Sequence, residues 1–285
     1  MQPHHGDGEA DGHDAAQGGA AEPAGRGDRV TSTARQAARG FATALQFLTR
    51  LPAPYPHATS AAQLGAALVY FPAVGALIGG LLVALDAALR PLLAPAVVDA
   101  LLVASLVVVS GALHLDGLVD TCDAVCTRAS PAARLALMHD SRAHAPGAIV
   151  ACLVLLAKFA ALGALPGAVR APTLLVAPLL GRWAIVVAYW AYPYARSTPG
   201  ASLALKAQAT APRAAAVTLF ALAVLALALG PAGLLVLAGA TAAVHLLASG
   251  FRTRLPGLTG DTYGAIAELV ETLTLALVPL VTRTG

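Results

Sequence analysis

The chain alternates long apolar runs with short polar segments that hold most of its prolines and charged residues. Each run is close to the about 20 residues that a helix needs to cross the hydrocarbon core of a bilayer. The pattern therefore predicts an all-α fold, a polytopic integral membrane helix bundle with about seven transmembrane helices. Proline and glycine mark their predicted limits, which are residues 66–90, 96–113, 147–166, 172–192, 214–230, 232–250 and 263–281.

Residues 1–33 differ from the rest of the chain because they are rich in Gly, Ala, Asp and His and contain no apolar run. Such a segment cannot bury enough apolar surface to offset the entropy of ordering it. We expect a disordered tail over residues 1–33, not a signal peptide, and one membrane-embedded catalytic domain over residues 34–285. The first helix of that domain is predicted to be short, to lie at the membrane surface and to break at residues 49–54.

Composition and charge agree with a lipid bilayer as the surrounding medium. The chain is 58% hydrophobic and 12% charged, whereas an average soluble domain has about 25% charged residues. A net charge of +3 without a dense basic patch argues against a nucleic-acid partner.

The positive-inside rule orients the predicted spans. If the N-terminus lies inside, thirteen cations fall on the cytoplasmic side and three fall on the other side. The cytoplasmic set is Arg26, Arg29, Arg35, Arg39, Arg50, Arg128, Arg134, Arg142, Arg196, Lys206, Arg213, Arg252 and Arg254, and the opposite set is Arg90, Arg170 and Arg283. The polar loops 114–146, 193–213 and 251–262 are therefore expected to face the cytoplasm.

Three aspartates in one of these loops form the clearest candidate site. Asp116, Asp120 and Asp123 stand at positions i, i+4 and i+7, which share one face of a helix. Like charges at this spacing destabilise each other unless a cation lies between them, and all-oxygen ligands favour magnesium or manganese. Gly117 would let a diphosphate approach the backbone. The alternative is a solvated helix face without a ligand.

A second short helix should follow this segment and complete a helical hairpin at the cytoplasmic face. Ser130 and Pro131 are typical of an N-cap and a first helical residue. The hairpin would bring Asp140 toward the three aspartates, and Arg142 could bind a phosphate oxygen. A local ion pair between Asp140 and Arg142 is the alternative. His114 is either a participant in the site or an ordinary interfacial histidine.

The start of the last span adds two carboxylates, Asp261 and Glu268, which are again seven residues apart. Asp261 either belongs to the site or only caps the helix. Glu268 lies inside an apolar run, where an ionisable side chain is costly and usually functional. Lys158 and Arg182 also lie within spans, and each should face the bundle interior and pair with a carboxylate or a substrate phosphate. Four aromatic residues are predicted to form an interfacial belt, namely Trp183, Trp190, Tyr192 and Tyr194.

At these residues the chain resembles the cobalamin synthase family, also called adenosylcobinamide-GDP ribazoletransferases. The resemblance runs from about Leu45 to the C-terminus. Its anchors are the segments 46–52, 71–72 with Gly75, 114–117 with Asp120 and Asp123, 140–142, 181–182, 194–196, and 260–265 with Glu268. The family usually has a glycine-containing turn after Arg142, whereas this chain has Ala143-His144-Ala145-Pro146-Gly147, so no role is transferred to His144.

The resemblance implies a magnesium-dependent transferase in the bacterial inner membrane, with its active site facing the cytoplasm. It would join adenosylcobinamide-GDP with α-ribazole or α-ribazole 5'-phosphate, giving adenosylcobalamin or its 5'-phosphate and GMP. Whether the chain forms a homo-oligomer is left open.

The residues found above fit that displacement at a diphosphate. The metal ligands would be Asp116, Asp120, Asp123 and Asp140. Catalytic roles would fall to Asp140, Asp123 and His114. Substrate binding would fall to Gly117, Arg142, Arg182, Asp261 and Glu268. The sequence does not separate a general base from a metal ligand among the aspartates.

Two other classes of membrane protein share parts of this pattern. A CDP-alcohol phosphotransferase also spaces aspartates after an Asp-Gly step, but its motif has Ala-Arg where this chain has Val119-Asp120. A secondary transporter also carries ionisable residues within its spans, but usually near the bilayer midplane. Here the acidic residues concentrate near one membrane face, which favours surface chemistry on a cytoplasmic substrate.

Overall fold

A computed structural model describes residues 26–55, 60–138 and 145–282, and within these residues the chain forms twelve α-helices and one isolated β-bridge. The helices are α1 (Arg26–Leu48), α2 (Ala61–Ala67), α3 (Phe71–Leu89), α4 (Pro95–Ser110), α5 (Leu113–Cys126), α6 (Pro131–Leu137), α7 (Ala145–Gly163), α8 (Gly167–Ala191), α9 (Ala201–Gln208), α10 (Ala211–Leu229), α11 (Ala232–Arg252) and α12 (Gly260–Thr282). A 3₁₀ helix, Leu68–Tyr70, joins α2 to α3. The all-α prediction is confirmed.

Six segments of the described chain are long and apolar enough to cross a membrane. They are the continuous segment Ala61–Leu89 and the helices α7, α8, α10, α11 and α12. Helices α4 and α5 pass the same test only together, as a pair bent by 87°. The number of spans is therefore six, or seven if this bent pair counts as one, which agrees with the prediction of about seven.

The bend between α4 and α5 is built from two residues in the left-handed conformation, Gly111 and Ala112, each with a φ of 60°. Glycine adopts this conformation easily, whereas an alanine there costs about 1–2 kcal/mol. Backbone hydrogen bonds hold the bend, since the Ala112 N–H donates to the Val107 carbonyl at 2.8 Å and the Arg50 N–H donates to the Val109 carbonyl at 2.8 Å. The bend directs α5 against α7 and α12.

Helix α8 forms the centre of the bundle, with α3 and α12 packed along it. Two glycines of α3, Gly75 and Gly79, let the backbones touch. A Cβ atom on Gly75 would lie 2.5 Å from the Pro178 carbonyl oxygen, and one on Gly79 would lie 2.3 Å from that of Leu175. Small residues at this four-residue spacing are typical of close helix pairs in membranes.

The predicted position of Arg170 is wrong. Arg170 was predicted in a loop, but α8 begins at Gly167 and Arg170 is buried within it. Its guanidinium binds Asp86 of α3, with contacts of 2.8 and 3.0 Å, and Asp99 of α4. Arg90 joins the same cluster through Asp86 at 3.2 Å. This arginine cluster ties three helices together, which hydropathy alone does not reveal.

The predicted aromatic belt is wrong for Trp183. Its side chain is 2% exposed, and its indole N–H donates to the Thr218 hydroxyl at 3.0 Å, so it packs inside the bundle. Trp190, by contrast, is 46% exposed.

The contacts of the chain separate a unit Met1–Gln36 from a unit Ala37–Gly285. Most of the predicted tail, residues 1–25, lies outside the described residues. The proposed division into a disordered tail and a catalytic domain therefore stays a prediction. The first helix is not short as predicted, because α1 runs over 23 residues from Arg26 to Leu48.

Candidate active site

Helix α5 carries the three predicted aspartates, hereafter the aspartate face: Asp116, Asp120 and Asp123. Their exposure falls along the helix. Asp116 is exposed, Asp120 is half-buried and Asp123 is 4% exposed. The face therefore starts at an accessible surface and ends inside the protein.

Gly117 sets the distance between α5 and the start of α12. A Cβ atom on Gly117 would lie 2.7 Å from the carbonyl oxygen of Asp261. On α12, Gly264 approaches α5 in the same way, since its Cβ would lie 3.3 Å from the backbone of His114. Gly117 thus has a packing role, and its contact with a diphosphate stays a prediction.

The first turn of α12 shows which residue caps this helix. The Thr259 hydroxyl accepts from the Thr262 N–H at 3.3 Å, and the Thr262 hydroxyl accepts from the Thr259 N–H at 2.7 Å. Thr259 is therefore the N-cap. The Asp261 carboxylate accepts from the Thr259 hydroxyl at 3.3 Å and pairs with Arg196 at 3.7 Å. Thr259, not Asp261, therefore caps α12, and the Asp261 carboxylate is within electrostatic range of Asp120.

Arg196 reaches this place because the loop after α8 is fastened at both ends. Lys206 donates to the carbonyls of Tyr189 and Tyr192 at 2.5 and 2.8 Å and so closes the end of α8. Further along, the Ala195 N–H donates to the Leu258 carbonyl at 2.8 Å. The loop is therefore joined to the segment that precedes α12.

Among the described residues, carboxylates outnumber cations at the aspartate face. Burial disfavours the charged form of Asp120, and the carboxylates of Asp116, Asp261 and Asp123 repel it, whereas Arg196 stabilises it. Four carboxylates from two helices thus act on one another with partial compensation by one arginine. An added cation would relieve this repulsion.

The most buried member of the face, Asp123, also holds the start of α7. Its Oδ1 accepts a hydrogen bond from the Gly147 N–H at 2.7 Å. A Cβ atom on Gly147 would lie 2.5 Å from the Val119 carbonyl oxygen, so only glycine allows this approach. Asp123 therefore has a structural partner, in addition to the metal or base role that was predicted for it.

The second helix of the predicted hairpin is present. The Ser130 hydroxyl accepts from the Ala133 N–H at 3.3 Å, and Pro131 opens α6, which confirms the predicted N-cap. Helix α6 ends at Leu137 and Met138 follows, packed in one cluster with Ala124 of α5. Asp140, Arg142 and His144 lie outside the described residues.

A second group of predicted residues forms a buried ion cluster beneath the aspartate face, here called the lysine cluster. Lys158 of α7 pairs with Glu268 at 2.6 Å and with Glu271, and Arg182 of α8 also pairs with Glu271. This confirms that Lys158 and Arg182 face the interior and pair with carboxylates. The cavity beside them measures about 10 Å³, room for about one water molecule. Contacts of Arg182 or Glu268 with substrate stay predictions.

His114 lies between the two groups. It is 3% exposed and within electrostatic range of Arg182, Glu271 and Lys158. Neither ring nitrogen has a hydrogen-bond partner among the described residues. Its environment is therefore protein interior, not the membrane interface.

Sequence reasoning gave no role to Arg196, Glu271 or Tyr263. Tyr263 stacks on Tyr189 with ring centroids 3.7 Å apart, beside the aspartate face. Arg196 lies in the segment 194–196, one of the family anchors, and this membership could have indicated a role for it. Glu271 had the signal of an acid inside an apolar run, but its partners lie on other helices.

No three His, Cys, Asp or Glu side chains among the described residues stand together as a ready metal site. The donor chemistry of the aspartate face nevertheless fits Mg²⁺. This ion usually keeps several waters and is bound by one or two carboxylates together with substrate phosphates. A closed cage of protein ligands is therefore not required.

The fold and the site together define a polytopic membrane protein with an acidic site at one end of a helix bundle. The family model described as CobS, cobalamin-5-phosphate synthase, matches residues 40–279, and the chain belongs to this family. No solved structure matches the chain.

Curated relatives agree with this membership. An adenosylcobinamide-GDP ribazoletransferase of Stutzerimonas stutzeri is 42% identical over 80% of this chain and 92% of its own length. One of Pseudomonas aeruginosa is 42% identical over 86% of this chain and 100% of its own length. One of Desulforamulus reducens is 35% identical over 83% of this chain and 94% of its own length. Membership decides against the CDP-alcohol phosphotransferase and the transporter.

Proposed function

We propose that this protein joins adenosylcobinamide-GDP with α-ribazole or α-ribazole 5'-phosphate, giving adenosylcobalamin or its 5'-phosphate and GMP. A ribazole hydroxyl oxygen attacks the phosphorus that carries the cobinamide. The bond from this phosphorus to the bridging oxygen breaks, and GMP leaves with the bonding electrons. The hydroxyl proton passes to a carboxylate. The proposal rests on family membership and on one structural observation, the aspartate face.

The aspartate face supports this chemistry because its negative charge suits a divalent cation bound together with a diphosphate. Mg²⁺, when bound, would offset the charge of the phosphate oxygens and of the leaving group. Asp116 and Asp120 are the accessible ligands. Asp123 has its Oδ1 engaged by Gly147. Asp140 belongs to the proposed set but lies outside the described residues.

Arg196 is a described cation that acts on the aspartate face. It offsets part of the charge at Asp120, and its Nη2 lies 3.7 Å from Oδ2 of Asp261, beyond hydrogen-bond distance. A guanidinium in this position can bind a phosphate oxygen in two-pronged geometry. Asp261 would hold the arginine in place until the substrate arrives.

The proposed location is the bacterial inner membrane, with the site facing the cytoplasm. The loops that carry the site contact one another, since Arg134 donates to the Arg254 carbonyl at 3.1 Å and Ala195 donates to the Leu258 carbonyl at 2.8 Å. They therefore lie at one end of the bundle. This end carries the excess of positive charge, which favours the cytoplasmic side.

The test is product formation by purified, detergent-solubilised protein supplied with adenosylcobinamide-GDP and α-ribazole 5'-phosphate. We expect equal amounts of GMP and cobamide product when Mg²⁺ is present, and neither product after chelation. GMP without a cobamide would show hydrolysis instead of transfer. Equal turnover with and without the metal would remove Mg²⁺ from the proposal.

A further inference from the structure

A pocket of about 410 Å³ lies between the end of α1 and the bend that joins α4 to α5. Its walls include Phe47, Arg50, Leu113 and Asp116. The volume lies within the range of about 300–1,000 Å³ that is usual for small-molecule sites. Because Asp116 is the accessible end of the aspartate face, the pocket opens onto the proposed reaction centre.

Arg50 is held on the wall of this pocket by the bend itself. Its backbone N–H donates to the Val109 carbonyl at 2.8 Å. Its side chain crosses Gly111 so closely that a Cβ atom there would lie 2.3 Å from Nε. The guanidinium has neither an ion pair nor a hydrogen bond with any described residue. It is thus an exposed cation without an ion-pair partner among the described residues.

Most other polar side-chain groups on the pocket wall are already engaged. The Thr49 hydroxyl donates to the Leu45 carbonyl at 2.7 Å, and the Ser110 hydroxyl donates to the Leu106 carbonyl at 2.8 Å. The Gln46 amide NH2 donates to the Tyr55 carbonyl at 2.6 Å, whereas its buried Oε1 has no hydrogen-bond partner among the described residues. The charged groups that remain for a ligand are the Arg50 guanidinium and the Asp116 carboxylate, with apolar side chains around them.

We propose that this pocket binds the ribazole substrate and that Arg50 binds its 5'-phosphate. This inference rests on the proposed function and extends it to one substrate. The phosphate lies on Arg50, a ribose hydroxyl points toward Asp116, and the benzimidazole ring packs against Phe47 and Leu113. A phosphate and a hydroxyl on the ribose of one nucleotide match a cation and a carboxylate in the lining of one pocket.

The other substrate suits the pocket less well. Adenosylcobinamide carries a corrin ring that is too large for 410 Å³. Its guanine end has several hydrogen-bond donors and acceptors, and most of them would be left unpaired because few side chains of the wall are not already engaged. The benzimidazole base has few such groups, so an apolar wall accepts it without that cost.

The test compares α-ribazole with α-ribazole 5'-phosphate as substrates of the wild type and of Arg50→Gln in detergent. We expect the KM for the phosphorylated substrate to rise about 10-fold or more, the effect of losing a charge-assisted hydrogen bond. The KM for α-ribazole should change less than about 2-fold, which also reports that the variant is folded. Arg39→Gln is the matched control, because Arg39 is an exposed cation of α1 that does not line the pocket. It should change the KM of neither ribazole substrate.

A second measurement uses only the wild-type protein. Inorganic phosphate should compete with α-ribazole 5'-phosphate and should not compete with adenosylcobinamide-GDP. Competition against adenosylcobinamide-GDP alone would overturn the inference, as would equal effects of Arg50→Gln on both ribazole substrates. If the activity lost in Arg50→Gln depends on the content of anionic lipid, the arginine binds a lipid phosphate. This result would also overturn the inference. If the wild type forms no cobamide from either ribazole substrate, the proposed function fails as well.

Discussion

The carboxylate of Asp123 accepts a hydrogen bond of 2.7 Å from the backbone N–H of Gly147, and this contact joins the acidic helix α5 to the first turn of α7. The contact matters because α7 directly follows the segment that contains Asp140 and Arg142, two residues of the proposed site. One aspartate therefore combines a place on the aspartate face with the anchoring of a neighbouring segment.

Variants of Asp123 should separate these two roles. Asp123→Ala removes the acceptor and should lower the free energy of unfolding by about 1 kcal/mol, the usual loss for a helix-start acceptor. Asp123→Asn keeps an acceptor oxygen, so its stability should stay close to wild type while its turnover falls. Thermal unfolding and GMP release from the same preparations measure both effects. Equal destabilisation by the two variants would show that the hydrogen bond to Gly147 does not account for the contribution of Asp123 to stability.

Gly117→Ala should separate α5 from α12. Its Cβ would lie 2.7 Å from the Asp261 carbonyl oxygen, so the helices must move apart, at a cost of about 1–3 kcal/mol. Turnover should fall because Asp261 moves away from the aspartate face. Gly80→Ala is the matched control, since its Cβ would meet nothing within 4 Å, and alanine is the better helix former. A Gly117→Ala protein as stable and active as Gly80→Ala would contradict the close contact.

The lysine cluster should behave as one coupled unit. Lys158→Met leaves Glu268 buried without its cation and should cost about 3 kcal/mol or more of stability. Glu271 keeps Arg182 in this variant. Adding Glu268→Gln to Lys158→Met should recover part of the loss, because the uncompensated charge is gone. Melting temperatures of the two single variants and the double variant measure this coupling, and strictly additive losses would show that the pair does not interact.

The arginine cluster at the ends of α3 and α4 should affect stability without affecting chemistry. Arg170→Gln leaves two buried aspartates without their main cation and should cost about 3 kcal/mol. Arg90→Gln removes the 39% exposed member of the cluster and should cost less than about 1 kcal/mol. Thermal unfolding at one scan rate ranks the two variants. The reverse order would mean that the buried arginine does not hold these helices together.

Hydropathy was enough to predict most of the membrane-spanning helices, but it placed some limits wrongly. The fourth span was predicted to begin at residue 172, because proline usually marks a helix end. Helix α8 instead begins at Gly167 and contains Pro172 and Pro178. Neighbouring helices can tolerate such interruptions in a membrane bundle. The right-angled bend at Gly111 and Ala112 was also missed, since apolar residues continue on both sides of it.

The candidate site was predictable where spacing along one helix decided it. Asp116, Asp120 and Asp123 share a face because α5 is a helix, and that follows from the sequence. The contacts between side chains of different helices could not be predicted from the sequence. That Lys158 meets Glu268, or that Thr259 rather than Asp261 caps α12, depends on the packing of distant segments.

The most direct measurement is the turnover of Asp120→Asn compared with Asp99→Asn, the same substitution at the two ends of the bundle. Each is assayed with adenosylcobinamide-GDP, α-ribazole 5'-phosphate and Mg²⁺, and turnover is expressed per folded molecule. Asp99→Asn should lose stability and keep turnover near the wild-type value. Asp120→Asn should stay folded, because it removes a repelled charge, and should lose about 100-fold or more of turnover, as when one charge-stabilising group is removed. Wild-type turnover by folded Asp120→Asn protein would contradict a catalytic role for the aspartate face.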